Sequence, residues 1–124
     1  MSYLIVFVGG GIGAALRHSV NRGALALLGV GFPFGTLIVN VVGSYLMGAL
    51  TGLFLAKGLG EHPLRLFLAT GVLGGFTTFS AFSLDAAALL ERGMTAAAAG
   101  YVLLSVAGSI AALLGGLQIA RAWA

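Results

Sequence analysis

The chain has 124 residues, of which 60% are hydrophobic and only 7% carry a charge. This composition excludes an ordinary soluble domain, and the lack of cysteine excludes disulfides and thiolate metal sites. The net charge of +3 comes from scattered residues and therefore does not indicate nucleic-acid binding. The length suffices for about four membrane-spanning helices of roughly 20 residues each. We therefore expect a small all-α protein of the cell membrane, folded as a single transmembrane domain over residues 1–124.

The first apolar block covers residues 3–20 and contains Arg17 near its end. A long basic side chain at that position can reach the lipid headgroups, or it can attract anions to the entrance of a path. The stretch from residue 23 to 32 is apolar but too short to cross a membrane. We expect it to extend the first helix or to form an interfacial loop.

The second block covers residues 34–56 and follows a turn at residues 29–33. This block contains Asn40, whose amide offers two donors without a net charge. A buried Asn can bond a neighbouring helix or line a polar path, and the residues alone leave both possibilities open. Glycines four apart, at Gly9/Gly13, Gly48/Gly52 and Gly71/Gly75 of the first three blocks, predict close helix packing in lipid.

The third block covers residues 64–90 and contains poor helix formers at mid-span. Paired glycines at Gly74 and Gly75, followed by Thr77 and Thr78, predict a break in the helix near residues 74–78. In hydrocarbon, an unpaired backbone is tolerated only where it is buried in protein, lines a cavity or holds an ion. We therefore expect the protein to handle an ion at this break.

Just after the break, Phe79 and Phe82 lie three residues apart and share a helix face. Two rings in a membrane usually serve packing, but their positive edges can also contact an anion. Thr78 and Ser80 supply hydroxyl donors beside the rings, unless they bond back to their own helix. Asp85 follows, either as a polar group at a gate or as a partner for an Arg.

The fourth block covers residues 95–120 and carries a stripe of hydroxyls at a spacing of four. Tyr101, Ser105 and Ser109 share one helix face, and Leu113 ends the stripe. Three hydroxyls in register favour a lined path over hydrogen bonding between helices.

The basic residues divide evenly between the two sides of a four-span chain. One side carries Lys57, Arg65 and Arg121, and the other carries Arg17, Arg22 and Arg92. Because orientation follows the excess of Lys and Arg on the cytoplasmic side, this balance predicts insertion in both orientations. Two opposed copies could then pair about a two-fold axis in the membrane plane as an antiparallel homodimer. The alternative is a fixed topology decided by one charge, such as Arg17.

Three segments resemble the signatures of the Fluc (CrcB) family of small fluoride channels. They are GGGIGAALR at residues 9–17, GTLIVNVVG at residues 35–43 and GGFTTFSAFS at residues 74–83. The resemblance covers nearly the whole chain, and the third segment is the most specific. It implies a four-span, dual-topology antiparallel homodimer with two pores, through which fluoride leaves the cell passively. No nucleophile–base set, metal motif or phosphate loop is present, so we do not expect an enzyme.

The resemblance also implies roles for individual residues. Asn40 would line the pore, Phe79 and Phe82 would form an aromatic box, and the carbonyls of Gly74 and Thr77 would hold a structural sodium ion. The other implied assignments are Tyr101, Ser105 and Ser109 as the hydroxyl track, Arg17 in the vestibule and Asp85 as the acidic position after the box. Leu113 departs from the family where the track can carry another hydroxyl, and Asp85 stands where Glu is common.

Two other functions fit a chain of this kind. A proton-coupled multidrug exporter can also be built from four short spans, but it requires an acidic residue deep in the first span, which this sequence lacks. A non-transporting membrane assembly subunit would need neither the break nor the hydroxyl stripe. Fluoride flux in liposomes separates both alternatives from a fluoride channel.

Overall fold

The computed structural model describes residues 1–123, which form four helical segments long and apolar enough to cross a membrane. Helix α1 covers Ser2–Leu28, helix α2 covers Phe34–Ala56, the third segment covers Pro63–Glu91, and the last helix covers Thr95–Trp123. The described residues contain no strand. The predicted all-α fold with four membrane-spanning helices is thus confirmed.

The connections between the segments are short turns. Helix α1 continues past the predicted block to Leu28, so the apolar stretch after residue 20 is largely an extension of the first helix. Helix α1 is followed by Gly29, whose φ of 82° lies in a region that residues with a side chain rarely adopt. Gly93, with a φ of 75°, closes the turn before the last helix in the same way.

The third segment is built from four pieces. Helix α3 covers Pro63–Arg65, a π-helical stretch covers Leu66–Leu73, α4 covers Gly74–Phe76 and α5 covers Phe79–Glu91, which makes the last helix α6. Between α4 and α5, Thr77 (φ −88°, ψ 157°) and Thr78 (φ −155°, ψ 122°) have extended backbones. We call these two residues the break.

Helix α1 packs against the third segment through glycines. A Cβ atom on Gly13 would overlap the carbonyl oxygen of Val72, and one on Gly75 would overlap the carbonyl oxygen of Gly10. One on Gly9 would lie 2.9 Å from the Cα of Gly71. Backbones come this close only where side chains are absent, as is common between helices in lipid. The predicted packing role of these glycines is confirmed.

Helices α2 and α6 meet along a similar line, which we call the α2–α6 seam and define by Gly48, Gly52 and Gly116. A Cβ on Gly48 would overlap the carbonyl of Leu113, and one on Gly116 would overlap the carbonyl of Tyr45. A Cβ on Gly52 would lie 2.6 Å from the Cβ of Ala120. The seam therefore holds the backbones of α2 and α6 in close contact.

The buried core is small and lies beside the break. It contains Phe82 and Leu89 of α5 with Ala98 and Tyr101 of α6. Large apolar side chains on the outside are exposed, for example Phe7 at 79%. An apolar exterior around a small core is the arrangement expected of helices surrounded by lipid.

Candidate functional site

The break is stabilised by its own second threonine. The Thr78 hydroxyl accepts a hydrogen bond from the N–H of Ala81 at 3.1 Å, as an N-cap does at the start of a helix. The Thr77 hydroxyl instead donates to the carbonyl of Leu73 at 3.0 Å. The two threonines thus end α4 and begin α5 with side-chain hydrogen bonds.

Asn40 of α2 pairs with the backbone of Thr78 through both ends of its amide. Its Nδ2 donates to the Thr78 carbonyl at 3.0 Å, and the Thr78 N–H donates to its Oδ1 at 2.8 Å. The side chain therefore replaces the peptide partner that a regular helix would supply. Because Nδ2 carries two hydrogens, one N–H of Asn40 remains available after this pairing.

Arg17 of α1 also contacts the residues next to the break. Its Nε donates to the carbonyl of Gly75 at 3.1 Å, and the side chain is half-buried. Arg17 thus joins α1 to the third segment, which a residue that only reaches the headgroups would not do. The hydrogen bond leaves the terminal nitrogens of the guanidinium for other partners.

A polar cleft opens between α2, the break and α6, with a volume of about 310 Å³. Its polar lining residues are Asn40, Ser44, Thr77, Thr78, Ser105 and Ser109, and its apolar lining residues are Phe79, Phe82, Val106 and Ile110. The structure thus brings together six of the eight predicted pore residues. The other two, Ser80 and Tyr101, do not line this cleft.

Ser105 and Ser109 are lining residues of the polar cleft, and their hydroxyls are not engaged elsewhere. Both oxygens are buried and lack a hydrogen-bond partner among residues 1–123. The hydroxyls of Ser19 and Ser83, in contrast, donate to carbonyls four residues back in their own helices, at 3.1 Å and 3.0 Å. A buried hydroxyl without a partner destabilises the protein, so a ligand that accepts a hydrogen bond from it would bind favourably.

The aromatic residues form a connected group along one side of the cleft. The ring centroids of Phe79 and Phe82 lie 5.4 Å apart, and those of Phe82 and Tyr101 lie 5.3 Å apart. Phe82 is buried, whereas Phe79 is 76% exposed on the single chain. The two phenylalanines therefore stand side by side at the cleft, one of them on the outer surface of the chain.

Two residues of the predicted path have other partners. The Tyr101 hydroxyl donates to Oδ2 of Asp85 at 3.2 Å, and the tyrosine is fully buried. The Ser80 hydroxyl lies 3.3 Å from the Thr78 hydroxyl on the exposed side of α5. The hydroxyl stripe of α6 therefore meets the cleft through its two serines only.

Ser44 also lines the cleft, although it is not among the pore residues predicted from the sequence. It follows Asn40 by one helical turn on α2, a spacing that places both side chains on one face. In the sequence, that spacing indicates a second polar residue of α2 beside Asn40.

Two carbonyls at the break have lost their helical donors. The N–H of Thr78, which would bond the Gly74 carbonyl in a regular helix, donates to Asn40 instead. The N–H of Ala81, which would bond the Thr77 carbonyl, donates to the Thr78 hydroxyl. Gly74 is exposed on the single chain, and residues 1–123 contain no cluster of three His, Cys, Asp or Glu side chains. Any cation held here would therefore rely on neutral backbone oxygens, which suit a hard cation.

Comparison with known proteins shows extensive similarity over nearly the full chain. A family model described as CrcB-like protein, Camphor Resistance (CrcB), matches residues 4–117. A protein of Mesorhizobium japonicum named fluoride-specific ion channel FluC is 56% identical over 118 residues, covering 95% of this chain and 94% of the relative. Proteins of the same name from Rhodopseudomonas palustris and Methylobacterium nodulans are 55% and 56% identical, and each alignment covers 98% of this chain. These alignments cover 98% and 97% of the two relatives.

Proposed function

The chain belongs to the CrcB-like protein family, and from this membership we propose that it is a fluoride-specific ion channel that exports fluoride passively. Its closely similar relatives carry the name of a channel, and the chain is a multi-pass protein of the cell membrane and not an enzyme. The observation that carries the proposal is the polar cleft, whose lining combines two serines with unpartnered hydroxyls, Asn40 and two phenylalanine rings.

The donors of the polar cleft suit a small anion that must leave its water. Fluoride is strongly hydrated, so a path needs several hydrogen-bond donors that replace the water molecules. Ser105, Ser109 and the free N–H of Asn40 provide neutral donors for this purpose. Neutral donors also release the ion readily, because conduction requires binding that is favourable but weak enough to permit exit.

The phenylalanine rings add a contact that carries no formal charge. The edge of an aromatic ring is electropositive and its face is electronegative, so an anion is attracted only to the edge. Phe79 and Phe82 stand next to each other at the cleft, with ring planes inclined by 53°. In this proposal, fluoride passes the ring edges between the serine hydroxyls and Asn40.

The exposed residues of the single chain support a functional dimer. Phe79, Ser80 and Gly74 are all exposed although they lie at mid-segment, beside a backbone without full helical pairing. Lipid cannot form hydrogen bonds with unpaired backbone groups, so protein must cover this region. A second copy of the chain would cover them and complete each cleft, giving two pores that are lined by both chains.

The balance of basic residues supports an antiparallel arrangement of the two copies. A reagent that cannot cross the membrane tests it, because the chain has no cysteine of its own. A single cysteine at exposed Met94, in Met94→Cys, should be labelled from outside in about half of the molecules in intact cells. Labelling of all or of none would establish one fixed orientation.

A structural sodium ion fits the freed carbonyls of the break. In the proposed dimer, the oxygens of Gly74 and Thr77 from both copies would surround the two-fold axis. When bound there, sodium would supply a fixed positive charge that joins the two breaks. Asn40 and the Thr78 hydroxyl keep these carbonyls free by taking the N–H groups that would otherwise bond to them.

Fluoride efflux from proteoliposomes tests the proposed function. Liposomes containing the protein should release fluoride, retain chloride and fail to accumulate a lipophilic cation. Retained fluoride would exclude a fluoride channel and favour an assembly subunit. Proton-coupled uptake of the lipophilic cation would establish an exporter, which the absence of an acidic residue in α1 argues against.

A further inference from the structure

A second cleft, which we call the side cleft, lies on the other side of the aromatic group from the polar cleft. Its volume is about 270 Å³, and it is bounded by the end of α1, the following turn, the first turn of α2 and α5. Its polar lining residues are Asn21, Thr36 and Asp85. The proposed path does not use this cleft, so the role of its carboxylate requires an explanation.

Tyr101 stands between the two clefts and lines neither of them. Its ring lies 5.3 Å from that of Phe82, which lines the polar cleft, and 5.5 Å from that of Phe32, which lines the side cleft. Its hydroxyl donates to Asp85 at 3.2 Å. The tyrosine is fully buried. The ring of Phe32 meets its ring edge-on, and the carboxylate of Asp85 binds its hydroxyl.

We propose that Asp85 is a positioning residue that fixes the ring of Phe82 through Tyr101, and thereby sets how well the channel conducts fluoride and rejects larger anions. This inference rests on the proposed function. Asp85 binds the Tyr101 hydroxyl, the Tyr101 ring packs against that of Phe82, and Phe82 lines the polar cleft, where the proposed path requires its edge to meet the anion.

The physical reason is the opposite polarity of the edge and the face of an aromatic ring. If Tyr101 loses its hydrogen bond, it can move into the side cleft, which has room for it. Phe82 can then turn and present its face, which repels an anion. The passage also widens, so that fluoride flux should fall while the leak of chloride rises.

A different role for Asp85 would be that of a fixed negative charge that repels anions. In that case its neutralisation alone would change conduction, and the Tyr101 hydroxyl would not matter. The amide oxygen of an asparagine can still accept the hydroxyl hydrogen, whereas alanine cannot. Asp85→Asn and Asp85→Ala therefore separate the loss of the charge from the loss of the hydrogen bond.

The test uses the full-length dimer in proteoliposomes with Asp85→Asn, Asp85→Ala, Tyr101→Phe and the double variant Asp85→Ala/Tyr101→Phe. We expect Asp85→Asn to keep fluoride flux within about twofold of the wild type, since the hydrogen bond survives. Asp85→Ala and Tyr101→Phe should each lower the flux about tenfold and reduce the fluoride-to-chloride permeability ratio, since each removes the hydrogen bond between the two side chains. The double variant should be no worse than either single variant, because both changes break the same contact.

A second readout reports on Phe82 directly and does not depend on conduction. With 4-fluorophenylalanine at position 82, the ¹⁹F resonance should shift or broaden in Asp85→Ala and Tyr101→Phe but not in Asp85→Asn. An unchanged resonance in the first two variants would overturn the proposal. The proposal would also be overturned if Asp85→Asn and Asp85→Ala had equal fluoride flux while Tyr101→Phe kept wild-type fluoride flux.

The two readouts also separate this inference from the proposed function. Should the wild-type protein fail to release fluoride while the ¹⁹F resonance responds in the expected order, the channel proposal fails and the positioning role stands. If Asp85→Ala does not yield a folded dimer, the comparison of Tyr101→Phe with Asp85→Asn still tests the positioning role of Asp85, because each of these variants changes only one or two atoms.

Discussion

Helices α2 and α6 face each other along two stretches that differ in how they use small and polar residues. At the α2–α6 seam, glycines let the two backbones touch, and a single added methyl group would overlap a carbonyl. Beside the break, the same two helices separate around a cleft of about 310 Å³ lined by Asn40, Ser44, Ser105 and Ser109. The seam has no room for a side chain, whereas the cleft has hydroxyls without partners. One pair of helices thus provides both the rigid support and the polar opening.

The difference shows that residue type alone does not assign a role in a membrane helix. Ser19 and Ser83 bond back to their own helices, whereas Ser105 and Ser109 do not. A hydroxyl that is already bonded has little to offer an ion. The seam should therefore respond to changes in volume, and the cleft should respond to changes in hydrogen bonding.

The largest effect is expected at the seam, from Gly48→Ala. The new Cβ would overlap the backbone carbonyl of Leu113, which cannot move without shifting α6. Overpacking usually costs about 1–3 kcal/mol, and it costs more where a backbone group must move, as the Leu113 carbonyl must here, so both folded yield and flux should fall. Thermal unfolding in detergent, followed by gel filtration, measures the loss. Gly115→Ala is the matched control, because its Cβ meets no atom within 4 Å; equal stability of the two variants would disprove the tight seam.

The second-largest effect is expected from Asn40→Asp, which changes the hydrogen bonding of the cleft. A carboxylate cannot donate to the Thr78 carbonyl, and it places a negative charge in the anion path. We expect fluoride flux to fall about a hundredfold, as the loss of a hydrogen bond and the added repulsion together cost about 2–3 kcal/mol. Gln118→Glu makes the same chemical change on an exposed position of α6 and should leave the flux intact. Conduction retained in Asn40→Asp would exclude Asn40 from the path.

Removal of a ring edge should have a smaller effect. Phe82→Ile keeps a bulky apolar side chain but lacks the electropositive edge, so fluoride flux should fall roughly tenfold while the dimer stays folded. Phe7→Ile serves as the control, since Phe7 is 79% exposed on α1, away from the cleft. Flux unchanged in Phe82→Ile would mean that the ring only packs.

The smallest effect is expected from the removal of sodium. Replacement of sodium by a larger cation should weaken the dimer and lower fluoride flux by roughly a few-fold, because backbone carbonyls coordinate a small hard cation best. Dimer dissociation measured at decreasing protein concentration reports on this contact independently of flux. A dimer that is indifferent to sodium would argue against a cation at Gly74 and Thr77.

The sequence predicted the fold more completely than it predicted the hydrogen bonds of the site. The number of spans and the glycine packing follow from hydrophobicity and spacing, which are local properties. The pairing of Asn40 with Thr78 and the contact of Arg17 with Gly75 join residues that are 38 and 58 positions apart, so they depend on the tertiary structure. Their local sequence gives no sign of either partner.

The α6 stripe shows the limit of spacing as a guide. Tyr101, Ser105 and Ser109 share a face, yet the longer tyrosine side chain extends to Asp85 instead of the polar cleft. Ser44 shows the opposite case. Its spacing of four from Asn40 predicts a shared helix face, and both residues line the polar cleft. A shared face thus predicts a common direction and leaves the partner undetermined.

In the proposed channel, the unpaired hydroxyls of the polar cleft carry fluoride. Fluoride efflux from proteoliposomes, compared between Ser105→Ala/Ser109→Ala and Ser19→Ala/Ser83→Ala, tests it most directly, because both double variants remove two membrane-helix hydroxyls. We expect a loss of about tenfold or more in the first variant and wild-type efflux in the second, since a hydrogen bond to an ion contributes about 1.5–3 kcal/mol. Equal efflux from the two variants would contradict it.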